Sequence, residues 1–134
     1  EEMSIAQTRL DNIFGMAALI AAYNDGEEWL DQAIAYVSDN KAYLDQFLRE
    51  RIPQIRMIPS EGTYLVWLDC SQLPYRGMAL EHIMINEAKV AFCAGYEFGE
   101  QGEAFLRMNV ACPRCTLTKA LEQMEKAING LSLQ

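Results

Sequence analysis

Basic residues are scarce in this 134-residue chain, eleven against nineteen acidic, for a formal charge of −8. That balance argues against nucleic acid or an anionic membrane surface as a partner. Histidine occurs once, at His82, and the cysteines (Cys70, Cys93, Cys112, Cys115) are few and scattered. They cannot make a disulfide scaffold, and one cysteine pair with a single histidine falls short of a four-ligand zinc site. A reducing, cytoplasmic setting is expected. The longest apolar run, IFGMAALIAAY at 13–23, is too short to cross a bilayer, and no secretion signature precedes it. There is no internal repeat and no low-complexity tract. The glycines of 95–102 lack the G-x-G-x-x-G spacing of a nucleotide cradle. The chain opens Glu1-Glu2-Met3, with no initiator and an amphipathic segment already under way, so a piece of a longer protein is expected.

What is present patterns as alternating helices and strands. A first helix is expected from about Asn12 to Tyr23, ended by Asn24-Asp25-Gly26, where glycine can take the left-handed cap conformation. A second should run from Glu27 to Arg51, with Leu30, Ile34, Val37, Leu44, Phe47 and Leu48 at helical spacing and Pro53 beyond it. Residues 54–58 and 63–69 read as a hairpin around the turn residues Pro59-Ser60-Glu61-Gly62. A helix over 78–89, strands at 90–94 and 104–111, and a last helix from Thr116 or Thr118 to Ile128 complete the order α-α-β-β-α-β-β-α. The fold class expected is α+β, a small two-layer sandwich with helices packed on one face of a mostly antiparallel sheet.

Within 104–111, alternation puts Ala104, Leu106, Met108 and Val110 on one face, and Phe105, Arg107 and Asn109 on the other. The first set is uniformly apolar and should meet the helices. Arg107 then needs a carboxylate partner or solvent, because an unpaired buried guanidinium is costly. Its planar fork suits a bidentate grip on a carboxylate from the protein or from a ligand. Taken alone, the residue is read first as part of a structural salt bridge or a solvated strand face.

The segments FLRMNVACPR (105–114), EGTYLVWLD (61–69) and NIFGMAALIAAYNDGEEWLDQAIAYVSDN (12–40) together resemble the C-terminal part of a fold-type I pyridoxal-phosphate enzyme. The branch they resemble is the MalY/PatB-type C–S β-lyases, cystathionine β-lyase-like members of the class I/II aminotransferases. The resemblance runs in order through nearly the whole chain. It implies that Arg107 grips the α-carboxylate of an amino-acid substrate, with Tyr64 and Asn109 as weaker substrate-side candidates. It implies that residues 1–26 are a helical segment leaving a large domain near a subunit interface, and that 27–134 form the small domain. The pyridoxal phosphate, its Schiff-base lysine and the homodimer would belong to the parent enzyme. Of the four lysines, Lys41, Lys119 and Lys126 lie on polar helix faces and Lys89 at a helix–strand junction, so none has the expected setting for that chemistry. This chain alone is therefore expected to bind no cofactor and to be inactive, while the parent releases pyruvate and ammonia as a lyase or acts as an aminotransferase.

Two readings from other classes compete. Cys112-Pro-Arg-Cys115 follows a strand and opens a helix, the setting of a redox dithiol, whose thiol would be acidified. A non-catalytic interaction module is the other.

Overall fold

The computed structural model describes residues 12–131, so the segment 1–11, on which the exit from a large domain was expected, lies outside the described residues. Helix α1 spans Ile13–Asp25, α2 Glu27–Arg51, α3 Gly77–Asn86 and α4 Arg114–Leu131. Strands β1 (Arg56–Met57), β2 (Leu65–Asp69), β3 (Cys93–Ala94) and β4 (Phe105–Asn109) form one antiparallel sheet in the order β1-β2-β4-β3. The element order and the small α+β architecture are those expected from the sequence.

The chain divides into two compact units between Tyr36 and Val37, inside α2. In the first unit α1 is capped by Asn12, whose side chain accepts from the Phe14 N–H at 3.0 Å. No residue of α1 is buried. Leu30 and Ile34 of α2 are more than half exposed, and Trp29 is 73 % exposed. Gly26 ends α1 at φ −92°, in the ordinary helical region rather than the left-handed one expected. Its glycine is required by crowding instead, since a Cβ there would lie 2.3 Å from the Ala22 carbonyl oxygen.

The second unit holds the core. Leu44, Phe47 and Leu48 of α2, Leu80 and Met84 of α3, and Leu117, Leu121, Met124 and Ile128 of α4 are buried. They pack with Val66 and Leu68 of β2 and Leu106 and Met108 of β4. The period of two in both central strands delivers one apolar row to the helices and leaves the other row on the opposite face. Helix α4 starts earlier than either threonine allows. The chain turns at Pro113, whose carbonyl accepts from the N–H groups of Thr116 and Leu117. Proline suits a helix start because its missing N–H would have no partner there. Thr118 lies inside the helix, its hydroxyl donating to the Arg114 carbonyl at 2.9 Å.

Asn40 ties α2 to the chain leading into α4. It is fully buried, and its side-chain amide donates to the carbonyls of Val110 (2.8 Å) and Cys112 (2.9 Å). Its oxygen accepts from Arg114 Nε at 2.7 Å, and that guanidinium lies over the Tyr43 ring at 4.5 Å. The stretch after β4 is thus held by a side chain seventy residues upstream.

Candidate functional site

The face of the sheet turned away from the helices carries a row set by strand register. Trp67 of β2 pairs with Arg107 of β4, and Arg107 pairs with Cys93 of β3. Directly paired residues of antiparallel strands project from the same face. Phe105 follows the parity of Arg107, and its ring meets Trp67 edge-on at 6.5 Å. After β3, two short 3-10 turns, Gly95–Phe98 and Glu100–Gly102, fold back so that Phe98 lies against this row. Trp67 meets Phe98 at 5.2 Å with the rings near perpendicular.

Arg107 sits at the middle of this cluster, half-buried. Its Cζ is 4.5 Å from the centre of the Phe98 ring, and Nη2 donates to the Cys93 sulfur at 3.4 Å. A thiol sulfur is a weak acceptor. Nε is buried with no hydrogen-bond partner. No ion pair of Arg107 occurs among the described residues. A buried N–H left without an acceptor costs about 1–3 kcal/mol, so this donor set is short of an anion.

A carboxylate does lie on the same face, two residues along from Trp67, but it is already engaged. Asp69 takes Arg56 Nη2 on Oδ2 at 2.7 Å and the Ser71 N–H on Oδ1 at 2.8 Å. The Ser71 hydrogen bonds and the Arg56 charge hold its acid below the ordinary value of 3.8, against the opposing effect of burial. A lowered carboxylate stabilises the fold above its unfolded value, and that contribution disappears as pH falls through the folded value. Asp69→Asn should therefore cost about 1–2 kcal/mol at neutral pH, and the gap to wild type should close in acid. Urea unfolding of both proteins from pH 7 down to about pH 3 measures this. A gap that stays constant with pH would refute the assignment.

The other residues singled out in the sequence are less central. Asn109 is exposed, and its side chain accepts from the Ala111 N–H at 2.8 Å, a local turn at the end of β4 rather than a bond across the sheet. Tyr64 precedes β2 and is 49 % exposed, with the strand parity of Val66 rather than of Trp67. Its carbonyl accepts from the Val110 N–H. Thr63 beside it takes a positive φ of 59°. Lys41 is used structurally, its ammonium donating to the carbonyls of Ser60 and Gly62, both at 3.1 Å. Lys89, Lys119 and Lys126 are exposed. Lys89 and Lys126 border a groove lined by Met78, Ile83 and Ala127.

Cys112 and Cys115 are free. Burial pushes the Cys112 thiol up from its ordinary value, and Cys115 adds to the rise. That is the reverse of the acidified thiol a redox dithiol needs. The buried thiol of Cys70 is pushed up to about 12. Among the described residues no group of three histidine, cysteine or acidic side chains could hold a metal ion, and no helix is long and apolar enough to cross a membrane. The neighbours of Arg107 that sequence reading missed are Phe98, Trp67 and Cys93. Strand parity would have put Trp67 on the face of Arg107, but the return of Phe98 has no local signal.

No family model matches the sequence. Among individual proteins, the chain is 35 % identical over 120 residues to Protein MalY of Escherichia coli, covering 90 % of this chain and 31 % of MalY. The chain is homologous to the MalY/PatB cystathionine β-lyases. Cystathionine beta-lyase PatB of Bacillus subtilis is 33 % identical over 118 residues, covering 88 % of this chain and 30 % of PatB. The crystal structure of cystalysin from Treponema denticola, which contains a pyridoxal 5′-phosphate cofactor, superposes with a TM-score of 0.79 at 34 % identity. That match covers 82 % of this chain and 28 % of cystalysin. Pyridoxal-phosphate-dependent aminotransferases are also among the homologues. This chain thus spans about 30 % of the length of its MalY/PatB relatives and is consistent with the C-terminal domain of a fold-type I pyridoxal-phosphate enzyme.

Proposed function

We propose that this chain is the small C-terminal domain of a cytoplasmic, homodimeric, pyridoxal-phosphate-dependent C–S β-lyase, and that Arg107 holds the α-carboxylate of its amino-acid substrate. The observation that carries the reading is a half-buried guanidinium that meets no carboxylate among the described residues and whose Nη2 has only a thiol sulfur as acceptor. A substrate carboxylate would supply the missing anion, and a planar fork binds it with fixed orientation. Residues 27–134 would form this domain, and 1–26 would lead from a large domain that carries the cofactor and its lysine. The cofactor supplies the electron sink for chemistry at the amino-acid carbons. This chain's part is to bind and orient the substrate. Alone it would hold no cofactor and would not turn over.

The aminotransferase reading keeps the same clamp, so Arg107 does not separate the two. Products do. The full-length enzyme loaded with pyridoxal phosphate should release pyruvate, ammonia and the free thiol homocysteine from cystathionine with no keto acid added. Turnover that requires an added keto acid would make it an aminotransferase. An absence of reaction with any amino acid, with the cofactor bound, would overturn both readings.

A further inference from the structure

The guanidinium of Arg107 is held on one face by an aromatic ring that the sequence carries nine residues away, on the connection between β3 and β4. Three features hold this connection in place. Gly95 and Gly102 cross so closely that a Cβ on Gly95 would lie 2.2 Å from the Gly102 carbonyl oxygen, and one on Gly102 would lie 2.0 Å from that of Gly95. Only residues without side chains let the backbone pass itself this way. Tyr96 donates its hydroxyl to Glu81 of α3 at 2.7 Å. The Gly77 N–H, at the start of α3, donates to the Glu103 carbonyl at 2.8 Å. Phe98 therefore projects from an anchored support, and Trp67 meets its ring edge-on from β2.

We infer that Phe98 is a positioning residue for the Arg107 clamp, setting the plane of the guanidinium so that its Nη edge is presented to the ligand carboxylate. A guanidinium donates hydrogen bonds in its own plane. A ring over one face therefore leaves the donors free while suppressing rotation about the side-chain bonds, and the ring's negative face favours the cation. Nε is buried, so the Nη edge is the part that a carboxylate can reach. On that edge Nη2 has only the weak Cys93 sulfur as acceptor, which an incoming carboxylate oxygen replaces at little cost. Because Phe98 is itself 52 % exposed and outside the core, its contribution is to the geometry of the clamp more than to folding.

The inference rests on reading Arg107 as the carboxylate clamp, and the experiment separates the two. In the full-length, cofactor-loaded enzyme, Phe98→Leu keeps an apolar side chain and removes the aromatic face. It should raise KM for the amino-acid substrate by about 3- to 30-fold, the range of a cation–π contact, with kcat changed less than KM. Phe98→Tyr should restore most of the wild-type KM. In an Arg107→Ala background, Phe98→Leu should have no further effect. In this 134-residue chain, the Arg107 Nε–H resonance should move on Phe98→Leu, through loss of the ring current, and return toward wild type in Phe98→Tyr. If Arg107→Ala leaves KM and kcat unchanged, the clamp reading fails first. If Arg107→Ala is damaging but Phe98→Leu behaves as wild type, the clamp stands and the positioning role is wrong. A Phe98→Leu penalty that persists unchanged without Arg107 overturns it as well.

Discussion

Arg107→Ala in the full-length, cofactor-loaded enzyme should lower kcat/KM for amino-acid substrates by about a hundredfold or more, while cofactor loading stays at the wild-type level. Removing one partner of a desolvated, hydrogen-bonded charge pair costs about 2–5 kcal/mol, and each 1.4 kcal/mol is about a factor of ten. Arg107→Lys should recover only part of the loss, since an ammonium offers a point charge where the carboxylate needs a planar fork. Stability makes the prediction sharper. A structural salt bridge would leave its carboxylate stranded when the arginine is removed. Here no such carboxylate is present among the described residues, Asp69 being held by Arg56 and Ser71. Arg107→Ala also removes a buried donor that has no acceptor. The unfolding free energy should therefore change by no more than about 1 kcal/mol. Cofactor absorbance, steady-state kinetics and urea unfolding on one preparation provide all three readings. Intact catalysis, or a stability loss as large as the catalytic one, would refute the clamp.

Asn40→Ala should be the most destabilising of these substitutions, at about 2–4 kcal/mol. One side chain satisfies the carbonyls of Val110 and Cys112 and accepts from Arg114, all in a fully buried position. Deleting it removes the donor to two carbonyls and the acceptor of Arg114 Nε at a buried position. Asn40→Asp should rescue little, because it keeps the acceptor for Arg114 but turns a negative charge toward both carbonyls. At roughly 4–8 °C per kcal/mol for a unit of this size, the melting temperature should fall by about 8–32 °C. Calorimetry checks this directly, and a shift of only a degree or two would mean that the latch contributes little. The consequence for function is indirect. Asn40 holds the chain immediately after β4, so a loosened latch should also raise KM through Arg107, by less than removal of the arginine itself.

Period and punctuation carry a large share of this fold. The span of α2, the antiparallel pairing of β1 with β2, and the helix-facing row Leu106, Met108 and Val110 are all legible from spacing. Each depends on neighbours within a few residues, where backbone geometry alone decides which side chains share a face. Arg107 was legible for the same reason, as the charged residue on the face that the apolar set leaves open. Boundaries were less secure, because competing local signals are each worth only about 1 kcal/mol. Thr116 and Thr118 are sound caps in principle, but α4 takes Pro113 as its start, and Gly26 is required by crowding at Ala22 rather than by a left-handed turn.

The sequence by itself thus determined the order of elements, the apolar face of each central strand and the presence of a guanidinium on the opposite face. Tertiary structure alone decided what that guanidinium meets. Strand order put β4 between β2 and β3, so that Trp67, Arg107 and Cys93 share a row. The crossing of Gly95 and Gly102 returned Phe98 to the arginine, and Asn40 closed on residues seventy positions downstream. Local periodicity fixes which way a side chain points, whereas its partner depends on chain closure over long separations. No short window of sequence encodes that choice, because it is made by the packing of the whole unit.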